Sequence, residues 1–292
     1  MKSYNPKQWT RFLLDFNKAD TLRKLFPLLV VVAAYSGGIA YLELEYFKLA
    51  ENSHFKNVSL LHTLLGFAIS MLLVFRTNTA YDRWWEGRKL WGSLVNNSRN
   101  LAVKLDAILA PEDEERVFFT QIIPRFAFEL KNHLQSEETR YSLDEKAHPE
   151  IPDFDLSKHV PNQVASLMVS RIFLLQKQQK LTAEQLLFVN PEASSFLDIC
   201  GACERIKNTP IPYSYSSFIK KFILIYTLTL PIGYVFNLGY LVIPVVVLVF
   251  YALASLELIA EEIEDPFGKD DNDLPMQKMA ENIQKNVTEI FA

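Results

Sequence analysis

The sequence predicts an all-α membrane protein with four transmembrane helices per subunit and a helical cytosolic region. Three charge-free stretches favour this fold class, at residues 25–42, 58–75 and 222–256. Each of the first two would form about 27 Å of helix, close to the thickness of a hydrocarbon core. Alternating strand patterns are scarce, so we expect the remaining residues to form helices and loops.

The first transmembrane hairpin is predicted at residues 25–75, after a cytosolic N-terminal segment at residues 1–24. Its second helix runs as FAISMLLVF directly into Arg76, with no Gly or Pro between the apolar and the charged part. Because no helix-breaking residue intervenes, we expect this helix to continue beyond the membrane into the soluble layer.

A helical cytosolic region is predicted at residues 76–215, where charged residues are frequent. We expect helix starts at Pro111, which acidic residues follow, at the capping box formed by Thr182 and Gln185, and at Pro191. The Pro-rich stretch at residues 141–163 predicts a surface loop.

The second transmembrane hairpin is predicted at residues 216–262. As one helix, its charge-free stretch would be roughly 52 Å long, which is too long for one crossing. Its centre reads PIGYVFNLGYLVIP, in which Gly, Asn and Pro indicate a turn. We therefore predict spans at 216–236 and 240–262. An acidic motif and a C-terminal cytosolic helix follow at residues 263–292.

Basic residues flank the predicted spans on one side of the membrane. Six precede the first span and six follow the second, whereas the loops on the opposite side carry only Lys48 and Lys56. The positive-inside rule then places both termini and the soluble region in the cytoplasm. The net charge of −4 argues against a nucleic-acid partner.

Two groups of residues near the first hairpin are candidates for controlling ion passage. Phe67, Met71 and Phe75 recur at i, i+4 and i+8, which places them on one helix face. They could line a hydrophobic pore constriction, although spacing alone favours ordinary span packing. Glu43 and Glu45 could form an outer acidic ring in an oligomer, or simply a solvated face.

Cys200 and Cys203 form a C-x-x-C motif that could be a redox pair or half of a zinc site. A zinc site needs two more ligands, and the sequence has no second C-x-x-C or H-x₃₋₅-H pattern. Two buried cysteines on a helix are therefore expected. The histidines, among them His62, His133 and His159, show no ligand spacing.

The segment EEIEDPFGKDDNDLP, which begins at Glu261, carries seven carboxylates around Pro266 and Gly268. It could bind a hard cation such as Ca²⁺, which takes carboxylate and carbonyl oxygens. The alternative is a solvated turn in which Asp273 caps the final helix.

Three stretches together, FRTNTAYDRWWEGRKLWG, GACERIKNTPIP and EEIEDPFGKDDNDLP, resemble the bestrophin family, specifically its short bacterial members. The resemblance implies a homopentameric ion channel with four membrane helices per subunit. It implies a cytosolic aperture at Ile211 and a hydrophobic pore neck formed by Phe67, Met71 and Phe75.

The resemblance also bears on the acidic motif, which forms a calcium clasp in calcium-gated members of the family. The matching positions are Glu262, Asp265, Asp270 and Asp273. Glu262 and Asp265 stand where the animal channels have amides, so the charge of a clasp would differ in this chain.

We therefore predict a bestrophin-like homopentamer that conducts small monovalent ions passively and is not an enzyme. The short bacterial form and the outer Glu43 and Glu45 favour cations. No cofactor is required, although the acidic motif could hold a divalent cation. The predicted partners are further copies of the chain, membrane lipids and permeant ions, in a bacterial inner membrane.

Three alternatives remain open at this point. The first is a chloride-selective bestrophin channel. The second is a membrane thiol oxidoreductase that uses Cys200 and Cys203. The third is a non-conducting membrane scaffold, whose soluble region would be a docking surface.

Overall fold

A computed structural model describes residues 20–48, 58–136 and 158–292. These residues form eight α-helices, and no strand occurs among them, so the predicted all-α fold class is confirmed. The helices are α1 (Asp20–Tyr41), α2 (Val58–Ile108), α3 (Glu115–Gln135), α4 (Val160–Lys177), α5 (Ala183–Asn208), α6 (Tyr213–Leu238), α7 (Val242–Glu264) and α8 (Met276–Phe291). Most of the predicted loop, residues 141–157, lies outside the described residues.

Within the part of the chain that the structure describes, three helical stretches are long and apolar enough to cross a membrane, namely Thr21–Tyr46, Leu60–Ile108 and Tyr213–Glu264. The third stretch consists of α6 and α7, which a 3-10 turn at Gly239–Leu241 separates. Gly239 has a φ of 52°, in the left-handed region that favours glycine. The turn predicted from the NLG sequence is therefore confirmed.

The described residues divide into two compact units. The apolar unit comprises residues 20–48, 58–82 and 210–264, and the polar unit comprises residues 83–136, 158–209 and 265–292. The five segments predicted from the sequence divide the chain by its membrane crossings, whereas these two units are divided by contacts. The predicted segments therefore stay a prediction.

The core of the apolar unit lies between α1, α6 and α7, which pack against one another. It consists of buried aliphatic side chains such as Leu29, Val32 and Val246. Other apolar side chains of the same helices point outward, among them Val31 and Leu248, which are 63% and 66% exposed. Such outward faces are expected of spans that meet lipid or another subunit.

The polar unit has a core of its own, in which α3 packs against α4, α5 and α8. Phe126 of α3 and Phe196 of α5 meet edge to face, with ring centroids 4.9 Å apart. Trp91 is fully buried in the same core. Amphipathic helices require such a shared core, because each has one apolar face to bury.

Helix α2 is continuous over 51 residues, from Val58 to Ile108. The prediction that this helix does not stop at Arg76 is therefore confirmed. Gly87, a glycine in the charged part of this helix, has a packing role. A Cβ at Gly87 would lie 3.1 Å from Pro266 and 3.2 Å from Phe267, so a larger residue would push this loop away.

Two predicted helix starts are wrong, whereas the capping box of Thr182 and Gln185 is confirmed. α3 begins at Glu115 rather than at Pro111, because a turn precedes it and the Asp113 side chain accepts a hydrogen bond from the Glu115 N–H. Pro191 lies inside α5, which the capping box already starts. An interior proline removes one backbone hydrogen bond, and here the helix continues through it.

Candidate functional site

Helix α2 has two contrasting faces in the apolar unit. On the inner face, Leu73 and Arg76 are 1% exposed. On the opposite face, Phe67, Met71 and Phe75 are 70%, 45% and 56% exposed. The three residues predicted to line a pore neck therefore lie on a face that the protomer itself leaves uncovered.

Ile211, the predicted aperture residue, lies immediately before α6 and is half-buried. Pro210 and Pro212 flank it, and neither proline has a backbone N–H to donate. The Ile211 N–H donates to Glu264 Oε1 at 2.7 Å. This hydrogen bond ties the bend before α6 to the end of α7.

Glu264 also accepts a hydrogen bond from Arg76, with Nη2 and Oε2 2.7 Å apart. Arg76 Nε lies 3.5 Å from Oε1 of Glu257, which is two turns before Glu264 on α7. A buried cation is stable only when opposite charge compensates it, and these two carboxylates supply that charge. Glu264 therefore contacts both Arg76, which directly follows Phe75 of the predicted neck, and Ile211, the predicted aperture residue.

The two glutamates predicted for an outer acidic ring have different environments. Glu45 is exposed, whereas Glu43 is buried in the π-helical turn Leu42–Tyr46. Glu43 Oε2 has no hydrogen-bond partner within the described residues. Of the two carboxylates, only that of Glu45 faces outward from the protomer.

Cys200 and Cys203 lie one turn apart on α5, and both thiols are free and buried. Burial raises the pKa of Cys200 to about 12 and also raises the pKa of Cys203. Because the thiolate is the reactive form, these thiols are inert at neutral pH. The arrangement does not support a redox centre.

The acidic loop, residues 265–275, contacts the part of α2 that belongs to the polar unit. Trp84 Nε1 donates to the Asn272 carbonyl at 3.0 Å, and Phe267 is fully buried beside Gly87. These contacts hold both ends of the loop against the helix, so its carboxylates have a defined arrangement.

Asp273 is the buried carboxylate of this loop. Its Oδ2 accepts a hydrogen bond from the Asp270 N–H, and its Oδ1 is buried with no donor among the described residues. Burial, together with the nearby Asp270 and Asp265 carboxylates, raises the pKa of Asp273 to about 7. The alternative that Asp273 caps the final helix is wrong, because α8 starts without a side-chain cap.

The acidic loop offers part of a hard-cation site. A Cβ at Gly268 would lie 2.7 Å from Asp273 Oδ2 and 3.6 Å from Asp265 Oδ2, so both carboxylates flank this glycine. Together with the unpartnered Asp273 Oδ1, these oxygens fit the ligand preference of Ca²⁺. Glu262 belongs to the apolar unit, where its Oε1 lies 2.8 Å from Lys24 Nζ.

Sequence reasoning missed two charged clusters. Glu257 and Glu264 had a usable signal, because two carboxylates at i and i+7 share one face at the end of an apolar helix. The second cluster, which consists of two histidines and a glutamate, had no such signal in the sequence. His133 and His159 both contact Glu204, which is 71 and 45 residues away along the chain, so linear ligand spacing could not reveal it.

The chain has clear similarity to known proteins. A family model described as "Bacterial/Fungal Bestrophin protein" matches residues 1–289. A "Voltage-dependent anion channel-forming protein" from Nostoc is 36% identical over 227 residues, which is 76% of this chain and 74% of that protein. A protein of the same description from Synechocystis is 29% identical over 298 aligned positions, covering 99% of this chain and 94% of its own.

A solved structure shares the fold. The crystal structure of a bacterial bestrophin homolog from Klebsiella pneumoniae has a TM-score of 0.79 and 26% sequence identity to this chain. The match covers 92% of this chain and 99% of that one. The two-unit helical fold therefore occurs, nearly entire, in a protein of known structure.

Proposed function

Because this chain belongs to the bestrophin family, whose proteins are ion channels and not enzymes, we propose that it forms a homopentamer that passes small monovalent ions through a central pore. Conduction is passive, since the proposed path needs no reacting group. Membrane lipids and further copies of the chain are its partners.

The observation that carries this proposal is the uncovered apolar face of α2. Phe67, Met71 and Phe75 are exposed, although Leu73 and Arg76 of the same helix are buried. Five copies around an axis would turn this face into three stacked rings of apolar side chains. A ring of this kind controls ion passage by excluding or admitting water, and so functions as a hydrophobic gate.

Ile211 forms a second constriction in the proposal. Its half-buried side chain follows a bend that Glu264 holds through the Ile211 N–H, at 2.7 Å. A constriction must keep its diameter to be selective, and this hydrogen bond supplies a fixed backbone position.

We propose that the permeant ions are cations such as Na⁺. The matching family model is the bacterial and fungal one, and the sequence resembles the short bacterial members of the family, which we take as favouring cations. Glu45 is exposed near the outer end of α1, where a ring of carboxylates would attract cations.

Anion selectivity is the second candidate function. The relatives from Nostoc and Synechocystis are both described as voltage-dependent anion channel-forming proteins. The burial of Glu43 also removes one of the two carboxylates on which the cation assignment relies.

The reversal potential of the purified protein in a bilayer with asymmetric NaCl distinguishes these two functions. We expect a shift towards the Na⁺ equilibrium potential that weakens in Glu45→Gln. A shift towards the Cl⁻ potential would establish the anion channel. Native mass measurement should give five chains per particle, and a monomer that leaves liposomes sealed would support the scaffold alternative instead.

We further propose that the protein lies in a bacterial inner membrane with both termini in the cytoplasm. The excess of Lys and Arg beside the spans on one side supports this orientation. Protease digestion of intact spheroplasts tests it, because cytoplasmic termini should be protected until the membrane is opened.

The acidic loop is a proposed site for a divalent cation, although conduction does not require one. Asp265, Asp270 and Asp273 would hold Ca²⁺, and the unpartnered Asp273 Oδ1 supports this assignment. A bound cation would neutralise the clustered carboxylates and so stabilise the loop.

A further inference from the structure

Three side chains of the polar unit converge at a place that the proposed channel function does not use. His133 lies in the last turn of α3, His159 is the N-cap of α4, and Glu204 lies on α5. The Nε2 atoms of His133 and His159 lie 2.7 and 2.5 Å from Glu204 Oε1. A nitrogen of each ring and a carboxylate oxygen all lie within 4.8 Å of one another.

We propose that His133, His159 and Glu204 bind a transition-metal cation of the Zn²⁺ class. Two imidazole nitrogens and one carboxylate oxygen are a ligand set of open zinc sites, in which water takes the fourth position. Borderline metals of the Zn²⁺ class suit imidazole ligands, whereas Ca²⁺ requires six or more oxygens. The cluster therefore differs in metal preference from the acidic loop.

The present geometry needs only a small adjustment to hold a metal. The side chains of His133, His159 and Glu204 are 34%, 30% and 28% exposed, so a cation can reach them from solvent. The two distances from the ring nitrogens to Glu204 Oε1 are those of hydrogen bonds, whereas tetrahedral zinc would hold its ligand atoms about 3.3 Å apart. These two distances would therefore increase by less than about 1 Å, which side-chain rotation can supply.

The donor set of the cluster suits a cation, because Glu204 supplies carboxylate oxygens and His133 and His159 each supply a ring nitrogen that can accept a metal.

The backbone around His133 is held in place independently of the cluster. Lys207 Nζ donates to the carbonyls of His133 and Ser136, at 3.4 and 3.2 Å. This lysine follows Glu204 by one turn of α5, so it links the end of α3 to the helix that carries the carboxylate. Two of the three ligands are thus positioned before any metal arrives.

The tautomer of His159 gives metal binding a distinct signature. The Asn162 N–H donates to His159 Nδ1 at 3.2 Å, so the neutral ring carries its proton on Nε2. A metal at Nε2 takes the place of that proton, and the neutral ring then carries its proton on Nδ1. Metal binding therefore removes the acceptor of the Asn162 N–H.

The test is a calorimetric titration of the full-length protein in detergent, stripped with EDTA, with ZnCl₂. We expect one Zn²⁺ per chain. His133→Gln, His159→Gln and Glu204→Gln should each weaken the affinity at least about tenfold, since even an outer-shell partner of a metal site contributes that much. Glu184→Gln, which makes the same change at an exposed glutamate of α5 outside the cluster, should bind as the wild type does.

Two measurements on the wild-type chain keep the proposal testable if a variant fails to fold. Co²⁺ should give the visible absorption of a four-coordinate site, and EDTA should remove it. Hydrogen exchange at the Asn162 amide should become faster when Zn²⁺ saturates the protein. Absence of Zn²⁺ binding, equal binding by the three variants, or an unchanged Asn162 exchange rate would each overturn the assignment.

Discussion

Arg76 Nη2 and Glu264 Oε2 lie 2.7 Å apart, and the other oxygen of the same carboxylate accepts the N–H of Ile211. A single side chain therefore holds the residue that follows the proposed neck and the residue proposed for the aperture. All three residues belong to the apolar unit. We infer that the end of the neck segment and the bend before α6 depend on one carboxylate.

Replacing Glu264 by Gln should destabilise the protein by about 3 kcal/mol, because it leaves the buried Arg76 with less opposite charge. The amide oxygen can still accept from Ile211, so the loss reports mainly on the charge pair. Denaturant unfolding in detergent measures it, and single-channel recording should show an altered unitary conductance.

Glu261→Gln is the matched control for this experiment. Glu261 pairs with Lys220 at 2.9 Å, but the two side chains are 51% and 49% exposed, so the pair should contribute less than about 1 kcal/mol. Equal losses in Glu261→Gln and Glu264→Gln would contradict the role given to the buried pair.

Alanine at Phe67, Met71 and Phe75 together should raise the unitary conductance or hold the channel open. The physical reason is that removing large apolar side chains widens and wets a hydrophobic constriction. The protomer should keep its fold, because these side chains are 45% to 70% exposed. Planar-bilayer recording provides the measurement.

Ile225→Ala controls for the loss of exposed apolar surface, since Ile225 is 61% exposed on α6. Its conductance should match that of the wild type. If the triple alanine variant gave the same currents as the wild type and Ile225→Ala, the assignment of these residues to a pore neck would be wrong.

Cys200→Ser with Cys203→Ser should leave conduction intact, because both thiols are buried and inert. In the folded protein, a maleimide should label them slowly, since the pKa of Cys200 is about 12 and little thiolate exists near pH 7. Mass spectrometry before and after denaturation compares the labelling rates. Rapid labelling of the folded chain would reopen the oxidoreductase alternative.

The elevated pKa of Asp273 predicts how stability depends on pH in the presence of EGTA. Its folded value of about 7 lies above the ordinary 3.8, so the folded state binds more protons between these values. The free energy of unfolding should therefore fall as pH rises from about 4 to about 7. Asp273→Asn cannot ionise, so it should be more stable than wild type above pH 7, by up to about 4 kcal/mol for a shift of roughly three pKa units.

Added Ca²⁺ should stabilise the wild-type chain and leave the melting temperature of Asp273→Asn nearly unchanged. Asp198→Asn is the control, because Asp198 is an exposed carboxylate on α5 of the same unit and its replacement should change stability by less than about 0.5 kcal/mol. A wild-type melting temperature that does not respond to Ca²⁺ would argue against the proposed site in the acidic loop.

Local chemistry explains why much of the fold could be predicted. The charge-free stretches, the turn at Gly239 and the capping box of Thr182 each depend on residues close together in the sequence. The two wrong helix starts also rested on local signals, but a stronger signal lay nearby in each case. Pro191 fits a helix start, yet it lies inside α5 because the capping box nine residues earlier starts that helix.

The apolar spans, the continuity of α2 through Arg76 and the periodic stripe that includes Phe67 could be predicted, because they follow from composition and helical spacing. The burial of Glu43, the hydrogen bond between Glu264 and Ile211, and the contact of His133 and His159 with Glu204 became visible in the three-dimensional packing. Periodicity records which face of a helix is apolar. It does not record which distant helix packs against that face, and such pairings arise from the combined packing of all the helices.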